Sequence, residues 1–114
     1  MEIDKGFLTR LLGEELTAMG FDEEAGAEVV EALGETVTEY MPKLRQAVTE
    51  ADLAEISFFA HALKGTFNNF SNPQFTELAE LFKTVELEAK KTTDLKIIKT
   101  VLTQIENNLR SFLN

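Results

Sequence analysis

Asp52-Leu53-Ala54-Glu55-Ile56-Ser57-Phe58-Phe59-Ala60-His61-Ala62-Leu63-Lys64-Gly65-Thr66-Phe67-Asn68-Asn69-Phe70 reads as one amphipathic helix. At about 100° per residue, Ile56, Phe59, Leu63, Phe67 and Phe70 fall on one stripe. His61, the only histidine of the chain, falls on the opposite side. Its helical neighbours are Ser57 at i−4, Lys64 at i+3, Gly65 at i+4 and Asn68 at i+7. A lone imidazole is thus offered to solvent, beside a cation and a missing side chain. The apolar stripe on the other side needs partners of the same period.

Those partners lie on both sides. Upstream, Val29, Val30, Leu33, Val37, Tyr40, Met41, Leu44 and Val48 form a long stripe. Pro42 lies inside it and is expected to kink the helix or open one turn, because it cannot donate the i→i−4 bond. Thr49-Glu50-Ala51-Asp52 is a short turn, with Thr49 or Asp52 as cap. Downstream, Ser71-Asn72-Pro73 breaks the helix. Phe75, Leu78, Ala79, Phe82, Val85 and Ala89 make the next stripe, closed by Lys90-Lys91 in keeping with the helix dipole. Thr92-Thr93-Asp94 is a capping cluster. Leu95, Ile98, Leu102, Ile105, Leu109 and Phe112 complete the last stripe. Before all of these, Ile3, Phe7, Leu8, Leu11, Leu12, Leu16 and Met19 form a stripe weakened by Gly6 and Gly13 and ended by Gly20. Phe21-Asp22-Glu23-Glu24 follows, with acidic residues suited to a helix N-terminus. The reading is all-α: an antiparallel four-helix bundle with an additional N-terminal helical segment, one domain over residues 1–114.

Composition narrows the function. The chain has 114 residues and a formal net charge of −9. That charge argues against nucleic acid and anionic membrane as partners. No apolar run approaches the roughly 20 residues of a membrane span, and there is no signal-peptide layout. Cysteine is absent, which removes disulfides, thiolate metal sites and cysteine nucleophiles and fits a reducing compartment such as the cytoplasm. One histidine and scattered carboxylates do not make a metal site of the usual kind. No phosphate-cradling glycine loop and no nucleophile elbow are present.

His61 therefore carries the candidate chemistry. An imidazole nitrogen is a competent nucleophile near neutral pH. A phosphoryl group placed on it would bring roughly two negative charges, which Lys64, one turn along, is placed to offset. Gly65 leaves the flank of the histidine bare for a partner's backbone. Glycine inside a helix costs about 1 kcal/mol relative to alanine, so clearance is a better reason for it than stability. Phe58 lies near His61 rather than on the apolar stripe. Leu87 falls off the stripe of its own helix. The two are a candidate docking patch, with Ser57 and Asn68 as polar neighbours on the histidine's face.

Ala60-His61-Ala62-Leu63-Lys64-Gly65, with the apolar Phe70 after it, resembles the signature of histidine-containing phosphotransfer domains, the HPt modules of multistep two-component phosphorelays. Leu44, Ala47 and Val48, then Ala51-Asp52-Leu53, resemble the family's approach to the histidine. Phe75, Ala79 and Phe82 resemble its following helix. Ser71 stands where the family often has glycine. The family often places a glutamine or similar group on the next helix, hydrogen-bonded to the histidine; counted without gaps, that position is Lys83.

The resemblance implies a phosphocarrier rather than an independent enzyme. His61 would accept a phosphoryl group from a receiver-domain phospho-aspartate and pass it to another receiver. Lys64, with Lys83 as a further candidate, would stabilise the phosphoryl group. The partners would be receiver domains of response regulators or hybrid histidine kinases. Mg²⁺ would belong to the receiver, and the chain would need no cofactor of its own. A monomer is expected, and the start at Met1 without a linker favours a free-standing protein. Three alternatives stand beside this: a phosphate-accepting domain of a chemotaxis-type histidine kinase, a non-catalytic helical adaptor binding through Phe58 and Leu87, and a small acid–base enzyme using His61, which lacks a pocket and a second catalytic group.

Overall fold

The computed structural model describes residues 13–70, 72–91 and 94–110. Helical residues 13–18 form α1. They are followed by α2 (Glu23–Thr49), α3 (Leu53–Asn68), α4 (Pro73–Lys91) and α5 (Lys96–Asn108). The described residues contain no strand. The stripe residues Ile3 to Leu12 expected at the N-terminus, together with Ser71, Thr92, Thr93 and Phe112, lie outside the described residues.

The helix ends follow from local chemistry. Gly20 takes φ +93°, and the Phe21 N–H reaches the Leu16 carbonyl at 2.9 Å while the Gly20 N–H reaches that of Thr17 at 3.0 Å. That is a Schellman ending with glycine at the left-handed position. The Asp22 carboxylate then accepts from the Ala25 N–H at 2.8 Å and starts α2. The same ending recurs at the far end of α2. The Asp52 N–H bonds Ala47 at 3.0 Å and the Ala51 N–H bonds Val48 at 3.1 Å, but here the left-handed residue is Ala51, with φ 55°. Asp52, rather than Thr49, caps α3 by accepting from the Glu55 N–H. Thr49 bonds back to the Arg45 carbonyl. Asn72 accepts from the Gln74 N–H ahead of Pro73, the first residue of α4. Asp94 does the same for the Lys96 N–H before α5.

Consecutive helices joined by such short turns run antiparallel. The ring of Phe67 near the end of α3 lies 5.5 Å from that of Phe75 near the start of α4, while His61, earlier on α3, meets Glu86, later on α4. α3 packs on α2 and α4, α4 packs on α5, and an Arg45–Glu106 ion pair ties α2 to α5. Among the described residues the core follows the predicted stripes, with Val29, Tyr40, Phe59, Phe70 and Leu95 only partly buried against it. Phe67, Phe75 and Phe82 form its aromatic centre, surrounded by Met41, Leu44, Ile56, Leu63, Leu78 and Ile98. Burying each such side chain fully stabilises the fold by about 1.5–3 kcal/mol.

One expectation needs correction and a second is narrowed. Met19 is exposed although its spacing placed it on the first stripe. It is the residue where α1 ends and the chain turns, and of the described part of that stripe only Leu16 reaches the core, against Gly26 of α2. Of the two outcomes expected at Pro42, a kink or an opened turn, the opened turn does not occur: α2 runs through it to Thr49. Pro42 is exposed, as is Thr38, whose carbonyl Pro42 cannot serve, so the break in the i→i−4 ladder falls on the solvent side of α2.

Candidate functional site

α3 turns its apolar side into the bundle and leaves His61 outside, with its side chain 69% exposed. The ring is nevertheless held. Nδ1 lies 2.9 Å from Oε2 of Glu86 on α4. Glu86 is only 8% exposed at its side chain and is the one charged residue among the buried described residues. Its other oxygen, Oε1, accepts from Lys64 Nζ at 2.8 Å, and Oε2 also accepts from Lys90 Nζ at 3.3 Å.

Burial alone would push the Glu86 carboxyl up, because a charge is poorly solvated there. The hydrogen bonds from Lys64, His61 and Lys90, together with the Lys64 charge, outweigh it and hold the carboxyl down from 4.5 to about 2. Glu86 is therefore ionised at neutral pH and can only accept hydrogen bonds. It follows that the proton between it and His61 sits on Nδ1. In the neutral ring this leaves the lone pair on Nε2, at the exposed end of the imidazole. A buried carboxylate thus fixes both the orientation and the tautomer of a surface histidine, as outer partners do for metal-bound histidines.

Gly65 follows one turn after His61, and a Cβ built there would meet nothing within 4 Å. Phe58 is exposed one turn before, its ring edge-on to Phe59 at 5.2 Å. Leu87, next to Glu86 on α4, is also exposed. Ser57 is half-buried and Asn68 exposed, and neither joins the hydrogen bonds of Glu86 or His61 among the described residues. Lys64 is present beside His61, but its ammonium is drawn onto Glu86 rather than standing free.

The α4 group that meets the His61 ring is Glu86, not Lys83. Lys83 is exposed one turn earlier and makes no hydrogen bond with His61. Which α4 residue meets His61 is set by how the two helices pack across their turn, and a gapless count along the chain does not carry that information. A signal for Glu86 was nonetheless present. It lies four residues after Phe82 and three before Ala89, so it occupies the buried stripe of α4. A carboxylate there must find cations or pay heavily for burial, and the facing turn of α3 offers His61 and Lys64.

No group of three or more His, Cys, Asp or Glu among the described residues could hold a metal ion. No described helix is long and apolar enough to cross a membrane. The open hollow beside Pro42, Gln46 and Phe59 is at the α2–α3 turn and does not include His61.

The fold and site together define an all-α bundle that presents one solvent-facing histidine, anchored through Nδ1 by a buried carboxylate. The model of the Hpt domain family matches residues 28–111, and the chain belongs to that family. It therefore has a phosphotransfer role in two-component signalling, as a phosphocarrier rather than an enzyme, in a family whose members interact with receiver domains. No curated protein and no solved structure matches the chain.

Proposed function

We propose that this chain is the histidine phosphocarrier of a multistep phosphorelay, with Nε2 of His61 as the accepting atom. The observation that carries this reading is the Nδ1–Glu86 hydrogen bond, which leaves a lone pair on the exposed nitrogen. In the transfer, Nε2 attacks the phosphorus of a receiver's phospho-aspartate. The N–P bond forms as the P–O bond to the aspartyl carboxylate breaks, and that carboxylate leaves with the electron pair. The ring keeps its Nδ1 proton and becomes cationic, and Glu86 stabilises it. Passage to the next receiver is the reverse step.

Lys64 holds Glu86 ionised and in place, and with Lys90 it leaves the cluster one positive charge in excess, favourable to an incoming phosphoryl group. Lys83 adds charge at the rim. Gly65 gives the receiver's backbone room, and Phe58 and Leu87 supply apolar contact, with Ser57 and Asn68 at the margin. Mg²⁺ acts in the receiver's own acidic pocket. The chain works as a monomer in the cytoplasm.

The test is incubation with a receiver domain charged by acetyl phosphate. A phosphoryl group that is labile in acid and stable in base should appear on the chain, and His61→Gln should abolish it while changing folding stability by no more than about 1 kcal/mol. No transfer from any receiver, with labelling only by an ATP-bound kinase catalytic domain, would instead make the chain a phosphate-accepting domain of the chemotaxis-kinase kind.

A further inference from the structure

Lys90 stands apart from the other members of the cluster. Lys64 is 24% exposed at its side chain and meets Oε1 of Glu86 at 2.8 Å, a part-buried, close and undivided contact. Lys90 is 59% exposed and reaches Oε2 at 3.3 Å, the longest contact of the three. It also shares its oxygen: Oε2 is the atom that accepts from His61 Nδ1. An exposed i,i+4 ion pair is intrinsically weak, so little holds Lys90 where it is.

Phosphorylation of His61 would change the balance at that oxygen. The ring would become cationic, and three cations would then converge on a single carboxylate, two of them on Oε2. At the same time a group with roughly two negative charges would appear at the outer end of the same ring. Lys64 is packed in and stays. Lys90 is the cation free to move. Its stripe on α4, Lys83-Leu87-Lys90 at i, i+4 and i+7, is exposed, and Lys90 shares Oε2 of Glu86 with the His61 ring, so the ammonium can follow the new charge through solvent.

We infer that Lys90 is a displaceable counter-cation, resting on Glu86 while His61 is unmodified and pairing with the phosphoryl group once Nε2 carries one, and that it thereby sets how firmly the phosphoryl group is kept. This rests on the phosphocarrier reading and adds to it a residue that governs the equilibrium between carrier and receiver. Lys90 makes its contact with the transferred group in the product state. An alternative is that it merely helps to hold Glu86, and the two differ in what Glu86→Gln does to the effect.

The experiment measures the ratio of phospho-His61 to phospho-receiver at equilibrium by ³¹P NMR, approached from both sides. One side starts from a receiver charged by acetyl phosphate. The other starts from the chain charged by phosphoramidate, in which the N–P bond to Nε2 forms as ammonia leaves. Lys90→Gln should lower the ratio about five-fold, the scale of one exposed charge pair. Lys90→Arg should restore it, and melting of the unphosphorylated protein should be the same in all three. The five-fold effect should persist when Glu86→Gln is present in both members of the pair. An unchanged ratio in Lys90→Gln overturns the inference, as does an effect that vanishes in the Glu86→Gln background. A wild-type chain that neither donor phosphorylates on His61 overturns the phosphocarrier reading itself, a result distinct from an unchanged ratio.

Discussion

Glu86 decides what His61 can do. Its carboxyl is held from 4.5 down to about 2 in the folded chain, so it binds fewer protons folded than unfolded as acid is added. The stability it contributes is complete above pH 4.5 and is lost as the pH falls through the folded value near 2. Its partners His61 and Lys90 are exposed and screened, which limits the contribution to about 2–3 kcal/mol. Acid titration followed by denaturant melts should show this loss in the wild type and not in Glu86→Gln. The same variant should accept phosphoryl groups about ten-fold more slowly, because an amide can accept from or donate to Nδ1, so it fixes the tautomer less firmly, and it carries no charge to stabilise the cationic ring. Equal acid limbs in the two proteins would mean the carboxylate is not held as described. At this scale the sequence made His61, Lys64 and Gly65 legible, because they lie within two turns of one helix and their relation is fixed by helical geometry. Glu86 comes from another helix. Its distance in sequence from His61 says nothing of their approach, and only its place on an apolar stripe marked it.

The elements were the most legible part of the chain, since each was set by a local rule: a stripe of period 3.6, then a capping side chain or a left-handed residue. The exceptions are where tertiary context intervened, as at Pro42, tolerated on the solvent side of α2, and Met19, stranded where α1 ends. Ala51 is a third case. Nothing in its identity announces a left-handed residue, and a Cβ there costs roughly 1 kcal/mol or more. Ala51→Gly should therefore stabilise the protein by about 0.5–1 kcal/mol, after the greater unfolded-state entropy of glycine is allowed for. A destabilised Ala51→Gly protein in denaturant melts would contradict the Schellman geometry assigned to the end of α2. On α3, Gly65 offers the opposite experiment. Gly65→Leu meets open space and has better helix propensity, so stability should hold or rise by up to about 1 kcal/mol. Small phosphoramidate should still label His61, whereas transfer from a receiver should fail. Loss of both, or of neither, would remove the clearance role from Gly65.

Across the whole molecule, the phosphocarrier reading assigns the transfer to the α3–α4 pair: an oriented imidazole, the cations around Glu86 and two exposed apolar side chains, on a chain of net charge −9. Phe58 and Leu87 are exposed as their spacing indicated, and full burial in a complex is worth roughly 1.5–3 kcal/mol each, less where burial is partial. Phe58→Ser with Leu87→Ser should weaken receiver binding by at least ten-fold while leaving the melting transition nearly in place. Undiminished binding, read by titration calorimetry, would move the docking surface elsewhere. The central claim concerns a single atom, and the chain has only one histidine, so every imidazole signal belongs to it. Long-range ¹H–¹⁵N NMR of the uniformly ¹⁵N-labelled protein, before and after charging by a phosphorylated receiver, tests that claim most directly. The neutral ring should be protonated at Nδ1 with a bare Nε2, and phosphorus coupling should then appear at Nε2. A ring protonated at Nε2, or phosphorus coupling at Nδ1 or at neither nitrogen, would contradict the account.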